Sequence, residues 1–176
     1  MSSEAALPKS VQRVVDAAAN AGLDVAVVEY PADTRTAVQA ADAVGCKVDQ
    51  IVKSMVFDAD GELVLALTSG ANQVDADRLS TVAGVGSCGR ADPDEVRRVT
   101  GFAIGGVAPI GHLQPIRTWI DPYLLTFSEV WAAAGSPRHV FPLEPGRLAE
   151  LTDATPADFT VPTTAPTSEP ITEPSR

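Results

Sequence analysis

The sequence predicts a mixed α/β fold whose sheet is largely antiparallel or mixed. Three observations indicate this class. Segments with helical spacing of apolar residues alternate with short apolar segments of strand length. Two strongly apolar segments flank Asp60-Gly61, a pair typical of hairpin turns. Capping residues and glycines bound the helical segments. We expect one domain over residues 5–155, long enough to bury a substantial core.

The first third of the chain predicts two helices separated by a strand. "PKSVQRVVDAAANAG" places three valines and Ala18 on one helical face, and Gly22 ends the helix. "DVAVVEY" predicts a short strand. "RTAVQAADAVG" predicts a second helix that ends at Gly45.

The middle of the chain predicts a hairpin, formed by "QIVKSMVF" and "ELVLALTS", and then two helices. "QVDADRLSTVAG" predicts a short helix. "ADPDEVRRVTG" predicts another, with Asp92 as its N-cap and Pro93 in its first turn.

The last part of the domain predicts strands at "GFAIGG" and "IRTWID", a strand pair around "AAGSPRHVFPL" and a final helix at "PGRLAELT". "SEVWAAAG" favours a helix by propensity alone, which conflicts with the first strand of that pair.

The composition restricts the classes of partner. The net charge of −10 argues against an extended grip on a nucleic-acid duplex, so we expect no DNA partner, although a local pocket could still recognise one or two phosphates. The chain contains neither an apolar run of membrane-spanning length nor a secretory signal, and we expect a cytoplasmic protein. Cys46 and Cys88 are then expected as reduced thiols.

The last 21 residues, 156–176, are rich in proline and threonine and hold few aliphatic residues. Such a segment buries too little apolar surface to offset the entropy lost on ordering. We expect a disordered tail.

Lys53 is unusual because it lies in the middle of an apolar strand. Alternation places Ile51, Lys53 and Met55 on one face and Val52 and Ser54 on the other, and both faces are otherwise apolar. The ordinary interpretation is that Lys53 lies near the end of a strand, where its stem packs on apolar residues and its ammonium reaches water. A buried ammonium without a partner would be costly, and an anionic substrate in a cleft could supply that partner.

The segment "AIGGVAPIGH" predicts a ligand-binding loop. Gly105 and Gly106 allow a ligand to approach main-chain N–H groups, which could stabilise a carbonyl oxygen during ester cleavage. Pro109 stiffens the loop, and Gly111 and His112 complete a Pro-x-Gly-His turn. Alternatively the segment is only a tight connection, with His112 fixing the loop by a hydrogen bond.

Other catalytic patterns are weak. No GxSxG motif is present, which disfavours a Ser-His-Asp hydrolase. Cys46, Cys88, His112 and His139 have irregular spacing for zinc, so we expect no metal and no cofactor. We expect His139 to be a surface or hairpin residue.

"QIVKSMVF" after a helix ending "AVG", followed by "TGFAIGGVAPIGH" some fifty residues later, resembles the YbaK family of aminoacyl-tRNA deacylases. "EYPADTRTA", "ADPDEVRRVTG" and "TWID" extend the resemblance over nearly the whole domain. This family shares its fold with the editing domain inserted in bacterial prolyl-tRNA synthetase.

The resemblance implies a distorted, barrel-like mixed sheet surrounded by short helices. It also implies hydrolysis of the ester at the 3′ end of a mischarged tRNA, commonly tRNA for proline carrying a small amino acid such as cysteine or alanine. The implied partners are the 3′ end of an aminoacyl-tRNA and, as a candidate, prolyl-tRNA synthetase.

The resemblance also implies roles for individual residues. Lys53 matches the functional lysine beside the terminal adenosine and its phosphate. Gly105 and Gly106 match the loop whose main chain holds the aminoacyl carbonyl. Tyr30 matches a cleft-lining tyrosine, and Ser54 stands where other members have threonine or asparagine.

Ala133 and Val140 depart from the residues of some members near the amino-acid pocket, which leaves the substrate's amino acid open. Two other functions also remain open. One is a non-catalytic module of the same fold that binds aminoacyl-tRNA or a nucleotide-linked amino acid. The other is a metal-dependent hydrolase that uses the cysteines and histidines.

Overall fold

A computed structural model describes residues 6–31 and 34–163 of the chain, and within these residues five helices surround a mixed sheet. The helices are α1 (Lys9–Asn20), α2 (Ala37–Val44), α3 (Ala76–Ala83), α4 (Pro93–Thr100) and α5 (Pro145–Thr152). The strands are β1 (Val28–Glu29), β2 (Ile51–Ala59), β3 (Glu62–Ser69), β4 (Asn72–Val74), β5 (Cys88–Arg90), β6 (Arg117–Ile120), β7 (Val130–Ser136), β8 (His139–Leu143), β9 (Thr155–Pro156) and β10 (Thr160–Pro162). Two 3₁₀ helices span Val48–Gln50 and Pro122–Thr126.

The main sheet has the strand order β1-β8-β7-β2-β3-β6-β9. The β2–β3 and β7–β8 pairs are antiparallel, whereas β2–β7, β3–β6 and β6–β9 are parallel. Strand β10 pairs with β4 in a separate two-stranded sheet. This architecture confirms the predicted mixed α/β class.

The sheet opens beside the middle of β2. Strands β2 and β7 pair only at Ile51 and Val52, and farther along the same edge β5 pairs with β2 from Phe57 to Ala59. Gly70 N–H donates to Ile51 O on the β3 side. Because peptide groups alternate along a strand, those of Ser54 face the opposite edge, where β7 has already diverged.

The largest core cluster fills the space between α1 and the sheet. Helix α1 buries Val11, Val14 and Ala18 completely, against Phe102 and Phe141. Burying a valine or phenylalanine side chain of this kind stabilises the fold by about 1.5–3 kcal/mol. The predicted face of α1 is therefore the one that packs on the sheet.

Local sequence signals account for most of the element boundaries. The β2–β3 hairpin turns at Asp60 and Gly61, both of which adopt positive φ. Asp92 caps α4 by accepting a hydrogen bond from the Asp94 N–H, and Gly45 ends α2 in the left-handed conformation. These predictions are confirmed.

One predicted strand is absent, and two other segments differ in extent from what the sequence alone indicates. "GFAIGG" forms no strand, because Gly101 ends α4 at φ +79° and Gly105 reverses the chain again at φ +107°. The strand predicted at "DVAVVEY" is only the two residues Val28–Glu29. All but the first two residues of "SEVWAAAG" lie in strand β7, which confirms the predicted strand pair, since pairing with β2 and β8 overrides the helical propensity of the alanines.

The ordered domain also extends beyond the predicted boundary at residue 155. Phe159 is completely buried against Phe57 and Trp119, and β10 pairs with β4. One buried aromatic side chain thus anchors the first part of the segment predicted to be disordered. Residues 164–176 of that predicted tail lie outside the described residues. Within the described ranges, no helix combines the length and apolar character needed to cross a bilayer.

Candidate active site

A small cavity lies where β2 and β7 separate. Its volume is about 20 Å³, and a cavity needs roughly 10–15 Å³ to hold one water molecule. Because it occupies the gap between two strands, residues from both faces of β2 border it. The lining residues come from the end of β1, from β2, from the loop of residues 103–112 (the glycine loop) and from the β7–β8 hairpin. They are Tyr30, Ile51, Val52, Ser54, Gly105, Trp131, Ala133, Ser136, Pro137, His139 and Val140.

The Ser54 hydroxyl is the most informative polar group of this cavity. The residue is 2% exposed, and its Oγ finds no hydrogen-bond partner among the described residues. A buried polar group left unsatisfied costs about 1–3 kcal/mol. An oxygen or nitrogen atom of a ligand in the cavity would remove that cost.

The glycine loop meets the β7–β8 hairpin at the cavity wall. Gly105 lines the cavity at φ +107°, a conformation that residues with a Cβ rarely adopt. A Cβ on Gly106 would lie 2.6 Å from Ser136 Cα, so only glycine fits beside this hairpin. The Gly106 N–H already donates to Ala103 O at 2.9 Å. Gly106 therefore packs the loop closely against the hairpin. We had expected its N–H to bind an oxyanion, but this N–H is already used within the loop.

Ser136 and His139 form a hydrogen-bonded pair in the cavity wall. Ser136 Oγ lies 2.5 Å from His139 Nδ1 and also accepts a hydrogen bond from the Arg138 N–H at 3.1 Å. The tight turn between β7 and β8 brings the two side chains together. The prediction that His139 is a hairpin residue is correct, but the same residue also lines the cavity.

Tyr30 closes one side of the cavity. Its main-chain N–H donates to Arg138 O, which ties the end of β1 to the β7–β8 turn. Burial raises the pKa of the Tyr30 phenol above its usual range, and the nearby Cys46 thiol adds to this effect. The phenol therefore stays protonated and uncharged at physiological pH.

Lys53 lies beside the cavity but does not line it in this structure. Its side chain projects from the same face of β2 as Ile51, which does line the cavity. The residue is 8% exposed, and its Nζ donates to Asn72 O at 2.5 Å. The residue is thus buried as expected, although sequence reasoning did not foresee the Asn72 carbonyl as the acceptor of its ammonium.

The second half of the glycine loop lies elsewhere. Pro109, Gly111 and His112 line a separate surface groove between the ends of α1 and α5. His112 Nε2 lies 2.7 Å from Ala108 O, and burial lowers the pKa of the ring. Arg13 donates to Gly101 O and Gly111 O. The structure therefore favours the loop-fixing role of His112 over the substrate-binding role.

The described part of the chain shows no metal-binding cluster of three or more histidine, cysteine or carboxylate side chains. Cys46 and Cys88 are free thiols, as predicted. Both are partly buried.

The structure brings together three of the eight predicted site residues: Tyr30, Ser54 and Gly105. Sequence reasoning missed Ser136 and His139. The signal that could have identified them is the short Ser-Pro-Arg-His turn, which places a hydroxyl and an imidazole three residues apart at the end of a hairpin.

Comparisons with known proteins agree on one family. A family model described as an aminoacyl-tRNA editing domain matches residues 31–151. The uncharacterized protein YwhH of Bacillus subtilis is 30% identical over 126 residues, which cover 71% of this chain and 80% of YwhH.

Two further relatives bear on the biological setting. The crystal structure of a candidate trans-editing enzyme for prolyl-tRNA synthetase is 45% identical and superposes with a TM-score of 0.84, covering 89% of this chain and 99% of that chain. Proline–tRNA ligase of Moorella thermoacetica is 34% identical over 105 residues, which are 56% of this chain but only 17% of the ligase.

Proposed function

The chain belongs to the aminoacyl-tRNA editing domain family, and from this premise we propose that it hydrolyses the ester of a mischarged tRNA in trans. The observation that carries the proposal is the buried hydroxyl of the cavity-lining residue Ser54, which has no partner among the described residues. The likeness to a candidate trans-editing enzyme over almost the whole of that protein supports action as a separate chain.

The size of the cavity favours a very small amino acid. A volume of about 20 Å³ accommodates roughly one water-sized group, which corresponds to one methyl group. The apolar walls formed by Ile51, Trp131 and Val140 suit a methyl group better than a polar one. The expected substrate is therefore a tRNA that carries alanine, with larger side chains excluded by contact with these walls.

The chemistry needs no covalent intermediate with the protein. A water oxygen attacks the ester carbonyl carbon, and the carbonyl oxygen becomes negatively charged in the tetrahedral intermediate. The carbon–oxygen bond to the ribose then breaks, the ribose oxygen takes a proton, and the free amino acid and the tRNA 3′ end are released. The protein contributes orientation and hydrogen-bond donors.

Two donors are suited to the developing oxyanion. Gly105 lines the cavity and donates none of the main-chain hydrogen bonds found in the described turns and loops, and the Ser54 Oγ has no partner among the described residues. One such donor contributes about 10²–10³-fold in rate. Gly105 and Ser54 thus take the role that was first assigned to the Gly105–Gly106 pair.

His139 is suited to receive the proton of the attacking water. When its Nδ1–H donates to Ser136 Oγ, the Nε2 atom carries a free lone pair. An imidazole oriented by a hydrogen bond on its other nitrogen is a common general base. In this assignment Ser136 sets the tautomer of His139.

Lys53 is assigned to the phosphate of the terminal nucleotide. Its ammonium donates a hydrogen bond to Asn72 O, and its chain neighbours Val52 and Ser54 line the cavity. An ammonium with restricted exposure to water binds a phosphate more strongly than an exposed one.

The rest of the tRNA is held by few contacts. Most arginines of the described surface already pair with carboxylates, among them Arg78, Arg117 and Arg138. Arg35 and Lys47 lie near the two ends of α2, whose alanine face packs on Tyr30. We expect prolyl-tRNA synthetase, or the tRNA bound to it, to supply the remaining affinity.

A deacylation panel tests the proposed function. Wild-type protein and the Ser54→Ala and Lys53→Ala variants are assayed on tRNA for proline charged with alanine, serine, cysteine or proline. We expect wild type to prefer alanine and both variants to lose at least about ten-fold in kcat/KM. Binding of an uncleavable alanyl-adenosine analogue without turnover of any ester would instead favour the non-catalytic binding module.

A further inference from the structure

A network of hydrogen-bonded polar groups connects Lys53 to the buried Asp121. Lys53 Nζ donates to Asn72 O at 2.5 Å, and Asn72 Nδ2 donates to Asp121 Oδ2 at 2.9 Å. Asp121 is 2% exposed. The same Oδ2 accepts from the Ser69 N–H at 3.2 Å, and Oδ1 accepts from the Tyr123 N–H at 3.0 Å.

The Asp121 carboxylate lies where it can hold the Asn72 side chain in a fixed position. Asp121 follows the end of β6 and caps the 3₁₀ helix Pro122–Thr126. Its three accepted hydrogen bonds join that helix to the end of β3 and the start of β4. Hydrogen bonds to a carboxylate are stronger than those between neutral groups, so the turn from β3 to β4 is held in one arrangement.

Two features act on the position of the Asn72 main-chain carbonyl: the side-chain bond to Asp121 and the pairing of β4 with β10. Strand β4 has only three residues, and the Asn72 side chain is anchored to a separate element of the fold. A lysine ammonium lies on a flexible stem of four carbons, so a fixed acceptor is needed to hold it in one place. The Asn72 carbonyl supplies that acceptor for the Lys53 ammonium.

We propose that Asn72 and Asp121 are positioning residues, which hold the Lys53 ammonium in one place so that it meets the phosphate of the substrate's terminal nucleotide. The inference rests on the proposed function for the identity of that phosphate. The network itself can be tested without any substrate.

The first test observes the ammonium directly. The chain contains three lysines, so ¹⁵N NMR of the lysine ammonium groups has few signals to resolve, and Lys53→Ala identifies the one from Lys53. We expect a protected Lys53 signal in wild type that is lost in Asp121→Asn, because an asparagine places an N–H₂ group against one of the three donors. Asn72→Ala, which removes the anchoring amide but keeps the carbonyl, should have the same effect.

Asp92→Asn is the matched control. Asp92 is also a carboxylate that accepts a main-chain N–H at the start of a helix, but it caps α4. The Lys53 ammonium signal should persist in this variant. Persistence of the signal in both Asp121→Asn and Asn72→Ala would overturn the inference whether or not the protein is a deacylase.

The second test is a double-mutant cycle on the deacylation rate. Asn72→Ala and Asp121→Asn should each lower kcat/KM by roughly 10- to 100-fold in wild type, and each should change it less than about two-fold when Lys53 is already alanine. Equal losses in both backgrounds would indicate a purely structural role and overturn the inference. Loss of the ammonium signal together with full activity of Lys53→Ala would retain the positioning network and reject the role of Lys53 in the proposed function.

Discussion

The Gly106→Ala substitution is the sharpest test of how the glycine loop is seated. The new Cβ would lie 2.6 Å from Ser136 Cα, 2.7 Å from Ser136 C and 3.0 Å from Pro137 N. Ordinary contact begins at 3.4 Å, so loop and hairpin must separate by about 0.8 Å. All three neighbours are main-chain atoms, so no change of rotamer can relieve the contact.

The size of the effect follows from this overlap. Introducing a methyl group into a closely packed site costs about 1–3 kcal/mol. For a chain of this length we therefore expect the melting temperature to fall by roughly 3–10 °C. The same displacement would move Gly105 away from Ser136 and His139, and a misplacement approaching 1 Å can cost about 10²-fold in rate.

The assay is thermal unfolding together with single-turnover deacylation of alanyl-tRNA. Gly89→Ala is the matched control, because a Cβ at Gly89 meets no heavy atom within 4 Å and the position needs no positive φ. We expect Gly89→Ala to resemble wild type in both measurements. A Gly106→Ala protein with unchanged melting temperature and rate would refute the close seating of the loop against the hairpin.

Three further predictions concern single side chains. Ser54→Ala should leave the free energy of unfolding unchanged or raise it by up to about 1 kcal/mol, because the Ser54 Oγ has no partner among the described residues. Denaturant titrations measure this, and a clear loss of stability would show that the hydroxyl is hydrogen-bonded within the fold. Because burial lowers the pKa of His112, the folded protein keeps this ring neutral while the unfolded chain protonates it; its contribution to stability is therefore complete above about pH 6.5 and declines as the pH falls below it. His112→Gln should remove that part of the pH dependence of unfolding, and an identical pH profile would contradict the assignment. Val140→Ala should widen the cavity and raise kcat/KM for valyl-tRNA relative to alanyl-tRNA by about ten-fold. An unchanged ratio would show that Val140 does not limit the size of the amino-acid side chain that the cavity accepts.

The fold was largely predictable because its elements carry strong local signals. The Asp60-Gly61 hairpin and the capped helix at Asp92 depend on turn and cap chemistry that is visible in a few consecutive residues. The strand predicted at "GFAIGG" is absent for a physical reason. Two glycines with positive φ within five residues break a strand even when the residues between them are apolar.

The candidate site was only partly predictable because it forms where the pairing between β2 and β7 stops. Alternation predicts that Lys53 and Ser54 lie on opposite faces of β2, in agreement with the different core clusters of Val52 and Met55. No local pattern shows that β7 leaves β2 after Val52, and this divergence turns Ser54 toward a cavity. The contact of Phe159 with Phe57 is likewise long-range, which explains why the first part of the tail was assigned to disorder.

The most direct test of the account is a structure of the protein bound to an uncleavable alanyl-adenosine in which an amide replaces the ester. The account predicts that the alanine methyl group occupies the cavity between β2 and β7, with the amide carbonyl oxygen within hydrogen-bond distance of Ser54 Oγ and the Gly105 N–H. An analogue bound instead in the groove beside His112, with the cavity empty and Ser54 without a new contact, would contradict it.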